Sequence, residues 1–350
     1  PPISAMWNGS DSKGAYVRIN PCFDESGSDS GVANFRHVLV EMDEKTKDEQ
    51  WTALKDYANG KGISIFGDIP IFVAYDSVDV WANQHLFQLD EKGRALAVAG
   101  VPPDYFSKTG QRWGNPLYRW DRLAEDEFHW WQRRFEYQLK CSDLVRVDHF
   151  RGFQACWSIP AMETTAVNGH WEEVPGRELF TKLFSRSHDL PIIAEDLGII
   201  TPEVEKLRDD FGLPGMKILQ FAFDSGPDNP YLPENHIANS VVYTGTHDNN
   251  TTLGWWRGLS REQKDQVREY LQINRPKMPQ ELIRLAMSSV AKLCILPCQD
   301  ILGLDSGARF NTPGRATGNW EWQMKPEALS EKRAKKLFGL TEKYHRTIIR

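Results

Sequence analysis

Three acidic residues each follow an apolar run rich in β-branched residues, and this pattern is typical of catalytic residues at the ends of strands. The runs are LVRVDH (residues 144–149), IIAEDL (192–197) and VVYTGTHD (241–248). Buried parallel strands have this composition, and α/β enzymes keep their reacting groups at the carboxyl ends of such strands. We therefore expect Asp148, Glu195 and Asp248 to line one acidic pocket. Paired carboxylates in a pocket cleave glycosidic bonds.

Strand-like and helical segments alternate from residue 46 onward. Parallel strands that carry these acids at their ends need such helical connections. Strands are predicted over 62–68, 144–148, 192–195, 215–223, 241–248 and 293–304, and helices over 46–59, 121–140, 201–211 and 260–272 and from 280. No glycine-rich phosphate-binding turn follows a strand, which argues against a nucleotide-binding fold. Because the candidate acids come from several strand ends, we predict an α/β fold of the (β/α)8 TIM-barrel type.

The predicted barrel has long connections. Its acids are 47 (195 − 148) and 53 (248 − 195) residues apart, whereas a plain barrel unit has about 30 residues. We expect a catalytic barrel over 46–323 with inserted loops at 100–120, 155–180 and 224–238. Residues 324–350 should form a C-terminal helix that packs on the barrel through Leu329, Leu337, Leu340 and Tyr344.

Residues 1–45 are predicted to be an atypical N-terminal segment, in which the first barrel strands are truncated, replaced or missing. The two strand candidates there are Ala15–Asn20 and His37–Met42. The segment between them is rich in Ser, Gly and Asp, which is typical of a loop.

Composition limits the classes of partner. The chain has 42 basic and 48 acidic residues in 350, a net charge of −6, which favours neither nucleic acid nor an anionic membrane. No apolar run reaches the roughly 20 residues that span a bilayer, and no secretory signal is visible. Five cysteines without CxxC spacing indicate a reducing, cytoplasmic location and no metal site or cofactor.

Tryptophan is unusually frequent, with 13 residues. Several lie near Gly, Pro and Asn rather than in apolar runs, namely Trp81, Trp113, Trp120, Trp255, Trp256 and Trp320. A single loop tryptophan is more often packing than a ligand platform. Their number favours carbohydrate, because an indole offers a flat apolar face and a polar N–H.

With their neighbours, the acidic runs resemble the catalytic segments of amylomaltases, the 4-α-glucanotransferases of glycoside hydrolase family 77 in the α-amylase superfamily. The matching blocks span about residues 51–323 and are GDIPIFVA (67–74), GVPPDYFS (100–107), GQRWGNPLY (110–118), VRVDHFRGF (145–153), AEDLG (194–198), PGMK (214–217) and THDN (246–249).

The resemblance implies a role for each matching residue. Asp148 would be the nucleophile, Glu195 the general acid/base and Asp248 the transition-state stabiliser. Further substrate-binding candidates are Asp68, Arg146 and His247 in the donor pocket, and Asp104, Tyr105, Phe106, Trp113 and Asn115 on a loop that folds over the active site. The implied activity is transfer of α-1,4-glucan segments between maltooligosaccharides through a retaining glycosyl-enzyme.

The charge pattern fits these roles. Arg146 and Asp148 are two residues apart on one strand, so their side chains share a face and the guanidinium should keep Asp148 ionised. Asp148 and Asp248 should raise the pKa of Glu195 towards neutrality, as a general acid needs. Asp196 should point to the opposite side and have a structural role.

Three functions remain compatible with these residues: a glucanotransferase, an α-amylase-like retaining hydrolase, and an inactive fragment that only binds glucan. The 100–118 segment favours transfer, because aromatic acceptor sites hold a sugar ready to outcompete water. The sequence does not indicate an oligomeric state.

Overall fold

The computed structural model describes residues 17–19, 38–40, 47–104, 107–186, 189–315 and 317–346. Packing divides them into two compact units. The first unit contains residues 47–214; the second contains residues 215–346 together with 17–19 and 38–40. These last two segments are strands β1 (Val17–Ile19) and β2 (Val38–Val40), which match the two N-terminal strand candidates but pair antiparallel with each other.

The first unit is built around a parallel sheet of three strands in the order β3-β6-β9. The strands of the whole unit are β3 (Phe66–Pro70), β4 (Ala97–Val101), β5 (Gln111–Pro116), β6 (Leu144–Asp148), β7 (Ala155–Pro160), β8 (His170–Glu173) and β9 (Ile192–Ala194). In β6, Val145 and Val147 are fully buried while Arg146 and Asp148 alternate with them. Each buried valine contributes on the order of 2 kcal/mol, which fixes the face that the polar pair must take.

The first unit also contains helices, several of which pack with this sheet in one hydrophobic core. They are α1 (Lys47–Gly60), α2 (Val78–Ala82), α3 (Trp120–Glu125), α4 (His129–Cys141), α5 (Gly176–Arg186) and α6 (Pro202–Asp210). The single helix predicted over 121–140 is wrong, because Glu127 and Phe128 adopt left-handed backbone conformations that separate α3 from α4. The break allows Phe128, Trp130 and Trp131 to enter the same core.

An antiparallel sheet of order β5-β4-β7-β8 adjoins this core. It is formed largely by the segments 100–120 and 155–180, which therefore carry strands. At Gly100 a Cβ atom would lie 2.1 Å from the Gln111 carbonyl oxygen, so only glycine lets β4 and β5 approach this closely.

The second unit contains another parallel sheet, of order β10-β11-β12. Its elements are β10 (Gly215–Ile218), β11 (Ser240–Tyr243), α7 (Thr252–Gly258), α8 (Arg261–Leu271), α9 (Gln280–Ser288), β12 (Leu293–Ile295), α10 (Cys298–Leu302) and α11 (Glu331–Lys343). The long strands predicted over 215–223 and 293–304 are wrong. A 3-10 turn begins at Leu219, and Pro297 directly precedes a helix.

Helix α11 lies within the region predicted as a C-terminal helix. It has no fully buried residue. Leu337, Leu340 and Tyr344 are half-buried as expected, but Leu329 precedes the helix and is 52% exposed. Among the described residues, no helix combines the length and apolarity that a membrane span requires.

Candidate active site

Arg146 organises the carboxylates at the end of the first unit's parallel sheet. Register pairs Asp68 with Arg146 and Pro70 with Asp148 across β3 and β6. The guanidinium donates from Nε and Nη2 to both oxygens of Asp68, at 3.1 and 2.7 Å, and Nη2 lies 2.7 Å from Oδ1 of Asp148. Burial lowers the pKa of Arg146, but Asp68 and Asp148 more than offset this and raise it. The expectation that Arg146 and Asp148 share one face is confirmed.

Glu195 directly follows β9 and is held by backbone amides. The N–H of His149 donates to Oε2 at 2.7 Å, and the N–H of Leu197 donates to Oε1 at 3.1 Å. Burial, and after it the charge of Asp148, raise the pKa of Glu195 to about 8, although Arg146 and the two backbone amides act in the opposite direction. The sequence predicted that neighbouring acids raise the pKa of Glu195, but it did not indicate burial, which is the larger cause.

His149 supplies its amide to Glu195 because it adopts a left-handed backbone conformation, with φ of 51°. Its imidazole lies against two aromatic rings: edge-on to Trp113 at 4.8 Å between centroids, and tilted to Phe72 at 6.4 Å. Burial and, to a smaller extent, the charge of Arg151 lower the pKa of His149 to about 4. The ring is therefore neutral near pH 7. Trp113 belongs to β5 and stays 38% exposed over this ring.

Two other candidates of the 100–118 segment have structural contacts. The Asn115 amide donates to the Val73 carbonyl at 2.9 Å and so ties β5 to the chain after β3. Asp104 accepts the Ser107 N–H at 2.7 Å and closes a tight turn. Tyr105 and Phe106 lie outside the described residues, so their binding role stays a prediction.

In the second unit, His247 and Asp248 lie in the loop that follows β11, rather than in the strand predicted over 241–248. The His247 Nε2 is 3.3 Å from Oδ2 of Asp248. The Asn311 amide donates to Oδ1 of Asp248 at 2.5 Å, and an Arg309 Nη2 donates to the Asp248 carbonyl at 2.6 Å. Sequence reasoning missed both Arg309 and Asn311.

The same loop is anchored at both ends by Asp300, a residue of α10 that is 1% exposed. Its Oδ2 accepts the hydroxyls of Thr244 and Thr252, each at 2.6 Å, and its Oδ1 accepts the Thr252 N–H at 2.8 Å. Thr244 follows β11 directly and Thr252 begins α7, so one buried carboxylate fixes the span that carries His247 and Asp248. No sequence signal marked Asp300, since it fell inside a predicted strand.

Asp196 has the structural role expected for it. It forms an ion pair with Arg208 of α6, and both side chains are under 10% exposed. Within the described ranges, no three His, Cys, Asp or Glu side chains converge so that they could hold a metal ion.

Comparison with known proteins gives consistent matches. Residues 41–330 match the family model described as 4-alpha-glucanotransferase. The 4-alpha-glucanotransferase of Thermus thermophilus is 54% identical over 301 residues, covering 84% of this chain and 60% of the relative. The chloroplastic/amyloplastic 4-alpha-glucanotransferase of Solanum tuberosum is 48% identical over 302 residues, covering 85% and 52%. The chain thus spans about three-fifths or less of the length of these relatives.

Among solved structures, the amylomaltase of Streptococcus agalactiae in complex with acarbose superposes with a TM-score of 0.82 at 42% identity. The match covers 85% of this chain and 60% of that one. The mixed α/β fold described above is therefore similar to that of an amylomaltase.

Proposed function

The chain belongs to the 4-alpha-glucanotransferase family, glycoside hydrolase family 77, and we propose that it transfers α-1,4-glucan segments through a retaining covalent glycosyl-enzyme. The donor is a maltooligosaccharide, and the acceptor is a second maltooligosaccharide or glucose. Asp148 is the nucleophile, Glu195 the general acid/base and Asp248 the stabiliser of the transition state.

The proposed scaffold is a (β/α)8 barrel over residues 46–323. This is supported by the alternation of helices with parallel strands in each unit. It is also supported by the position of the candidate acids: Asp148 ends β6, Glu195 directly follows β9, and Asp248 lies in the loop after β11.

One observation carries the functional proposal: Asp148 and Glu195 have opposite electrostatic environments. Asp148 lies 2.7 Å from the Arg146 guanidinium. Glu195 is buried beside that carboxylate, and its pKa of about 8 keeps it protonated at neutral pH. A carboxyl group paired with a guanidinium and a neighbouring buried, protonated carboxyl group are suited to be the nucleophile and the acid of a retaining glycosidase.

The proposed reaction has two steps, formation and breakdown of the glycosyl-enzyme. An oxygen of Asp148 attacks the anomeric carbon and forms an ester, while Glu195 gives its proton to the departing glycosidic oxygen. Esterification removes the negative charge of Asp148, which is the second cause of the raised pKa of Glu195. Glu195 is a carboxylate after it has given up its proton, and loss of the Asp148 charge lowers its pKa. It then takes the proton of the acceptor 4-hydroxyl, whose oxygen attacks the anomeric carbon and releases Asp148.

We attribute the preference for transfer over hydrolysis to Trp113, which would bind the acceptor sugar. Its indole is 38% exposed beside the ring of His149, whose backbone N–H binds Glu195. A sugar ring stacked on this indole would place its hydroxyl near the general base and exclude bulk water.

We further propose a cytoplasmic location. It is supported by the four cysteines within the described residues, Cys141, Cys156, Cys294 and Cys298, which are all free.

Incubation of the protein with maltotriose tests the activity. We expect glucose together with longer maltooligosaccharides, separated by anion-exchange chromatography. Short products with a matching gain in reducing ends would identify a hydrolase, and no change would overturn the proposal. The Asp148→Asn variant should give no products, whereas Asp265→Asn, which changes an exposed aspartate on α8, should behave like the wild type.

Covalent trapping tests the nucleophile separately. A 5-fluoro-α-glucosyl fluoride forms a glycosyl-enzyme that breaks down slowly, and mass spectrometry of proteolytic peptides locates the label. We expect the label on the peptide that contains Asp148, and a label on any other carboxylate would contradict the assignment.

A further inference from the structure

Residues from 309–315 and 317–320 contact the His247–Asp248 pair, although more than 60 positions separate them from it along the chain. The carbonyl oxygens of both residues are used: the Asn311 N–H donates to that of His247 at 3.1 Å, and Arg309 donates to that of Asp248 at 2.6 Å. The Asn311 side chain then donates to Oδ1 of Asp248 at 2.5 Å. One segment thus fixes the backbone of the pair as well as the carboxylate.

These residues, which we call the brace (309–315 and 317–320), also contact one another. The Arg309 Nε donates to the Asn311 carbonyl at 2.7 Å, so the cation that holds Asp248 also orients Asn311. At the other end, the Trp320 N–H donates to the Phe310 carbonyl at 2.6 Å. The Trp320 ring stacks on Phe310 and lies 5.3 Å from the His247 ring.

We propose that Asn311 is a positioning residue that sets the orientation of the Asp248 carboxylate. The kinetic part of this inference rests on the proposed function, in which Asp248 stabilises the transition state, whereas the geometric part does not.

The chemistry of the donor favours this role. An amide can orient a carboxylate by a hydrogen bond while leaving its full negative charge in place. A lysine or arginine at the same position would compensate that charge, as Arg146 does for Asp148. Glycosyl transfer passes through a positively charged sugar, so the stabilising carboxylate is most useful when it is anionic and correctly aimed.

The large separation of Asn311 and Asp248 along the chain also supports a positioning role. The Asn311 and Asp248 side chains meet although 63 residues separate them, and Asp248 already belongs to a loop anchored by Asp300. Loop anchoring fixes where the backbone runs but does not by itself set the rotation of the carboxylate about its side-chain bonds, and His247 contacts only Oδ2. The Asn311 contact restricts that rotation.

The main test is Asn311→Leu, which has nearly the same shape but no donor. We expect kcat for maltotriose disproportionation to fall roughly 10- to 150-fold, the range for a lost hydrogen bond to a charged group, with KM within about threefold. The matched control is Asn319→Leu. Asn319 stabilises the brace through Thr312 and Arg315 but has no described contact with Asp248. An equal loss of kcat in both variants would show that only the integrity of the brace matters.

A second variant, Asn311→Asp, gives a different signature. At neutral pH it would set two like charges against each other. Among the residues that the structure describes, His247 and Arg309 are charged or titratable neighbours of Asp248. One shared proton would restore the hydrogen bond, so we expect activity to recover towards acidic pH, relative to wild type. An unshifted pH profile would overturn the inference.

Crystal structures of wild type and Asn311→Leu test the geometry without any activity. We expect the Asp248 carboxylate to rotate or lose order in the variant while the loop backbone stays in place. An unmoved carboxylate would overturn the positioning role even if the wild type is active. An inactive wild type would instead refute the proposed function, and the two structures would still decide the role of Asn311.

Discussion

Glu195 should destabilise the fold at neutral pH, and replacing it with glutamine should reveal by how much. Burial and Asp148 raise its pKa from 4.5 to about 8. Between these two values the folded protein holds a proton that the unfolded chain has released. Stability therefore falls as pH rises through this window, and the cost is absent below about pH 4.5.

The magnitude follows from the width of the window. At pH 7 the interval above 4.5 is 2.5 units, which corresponds to about 3 kcal/mol at roughly 1.4 kcal/mol per unit. Glutamine cannot ionise, so Glu195→Gln avoids this cost. It does place an NH2 group against one of the two backbone donors from His149 and Leu197. That penalty, on the order of 1–3 kcal/mol, does not depend on pH.

The measurement is urea unfolding of wild type and Glu195→Gln at pH 4.5 and pH 7. The free energy of unfolding of the variant relative to wild type should increase by about 3 kcal/mol from the lower to the higher pH. This comparison removes the constant hydrogen-bond penalty. Glu178→Gln, at an exposed site in α5, is the control and should show no such change.

A difference that stays constant with pH would refute the reasoning, because it would mean that Glu195 ionises as readily in the folded as in the unfolded chain. A difference of the opposite sign would show that the backbone amides and Arg146 outweigh burial. In either case Glu195 could not be the protonated acid at neutral pH.

Three further outcomes are expected. Arg146→Gln should move the alkaline limb of the kcat/KM profile to higher pH, because Arg146 now lowers the pKa of Glu195; a limb that stays or moves down would contradict this. Asp300→Ala should reduce the free energy of unfolding by about 3–5 kcal/mol in urea, since it leaves three donors unpaired, while Asp300→Asn should cost clearly less. Trp113→Ala should raise the ratio of free glucose to longer glucans formed from maltotriose, and an unchanged ratio would remove Trp113 from acceptor binding.

The sequence predicts the strand that carries Arg146 and Asp148 well, for a local reason. Alternation of buried and polar residues along β6 has a period of two, so the face taken by the polar pair is decided within five residues. The pattern also predicts that parallel strands alternate with helices. It does not predict the break at Glu127 and Phe128, because left-handed conformations at non-glycine residues have no strong local signal.

The contacts that tune the acids are not predictable in this way. Asp300 and Asn311 reach their partners across 48 to 63 residues, and their identities are compatible with ordinary surface or helix positions. Likewise, the burial that raises the pKa of Glu195 is a property of the packed unit, and no residue type near Glu195 announces it.

The three candidate acids share a residue class but have three different kinds of partner, and the partner suits the charge that each role requires. Asp148 must be anionic and is paired with a guanidinium. Glu195 must alternate between acid and base, and burial beside a charge that disappears on ester formation makes its pKa change during the cycle. Asp248 must remain anionic and keep a fixed orientation, and the neutral amide of Asn311 orients it without compensating its charge. Substitutions that exchange these partners should therefore be more damaging than their size suggests: an arginine in place of Asn311 would bind Asp248 more tightly, yet it would compensate the charge that Asp248 contributes.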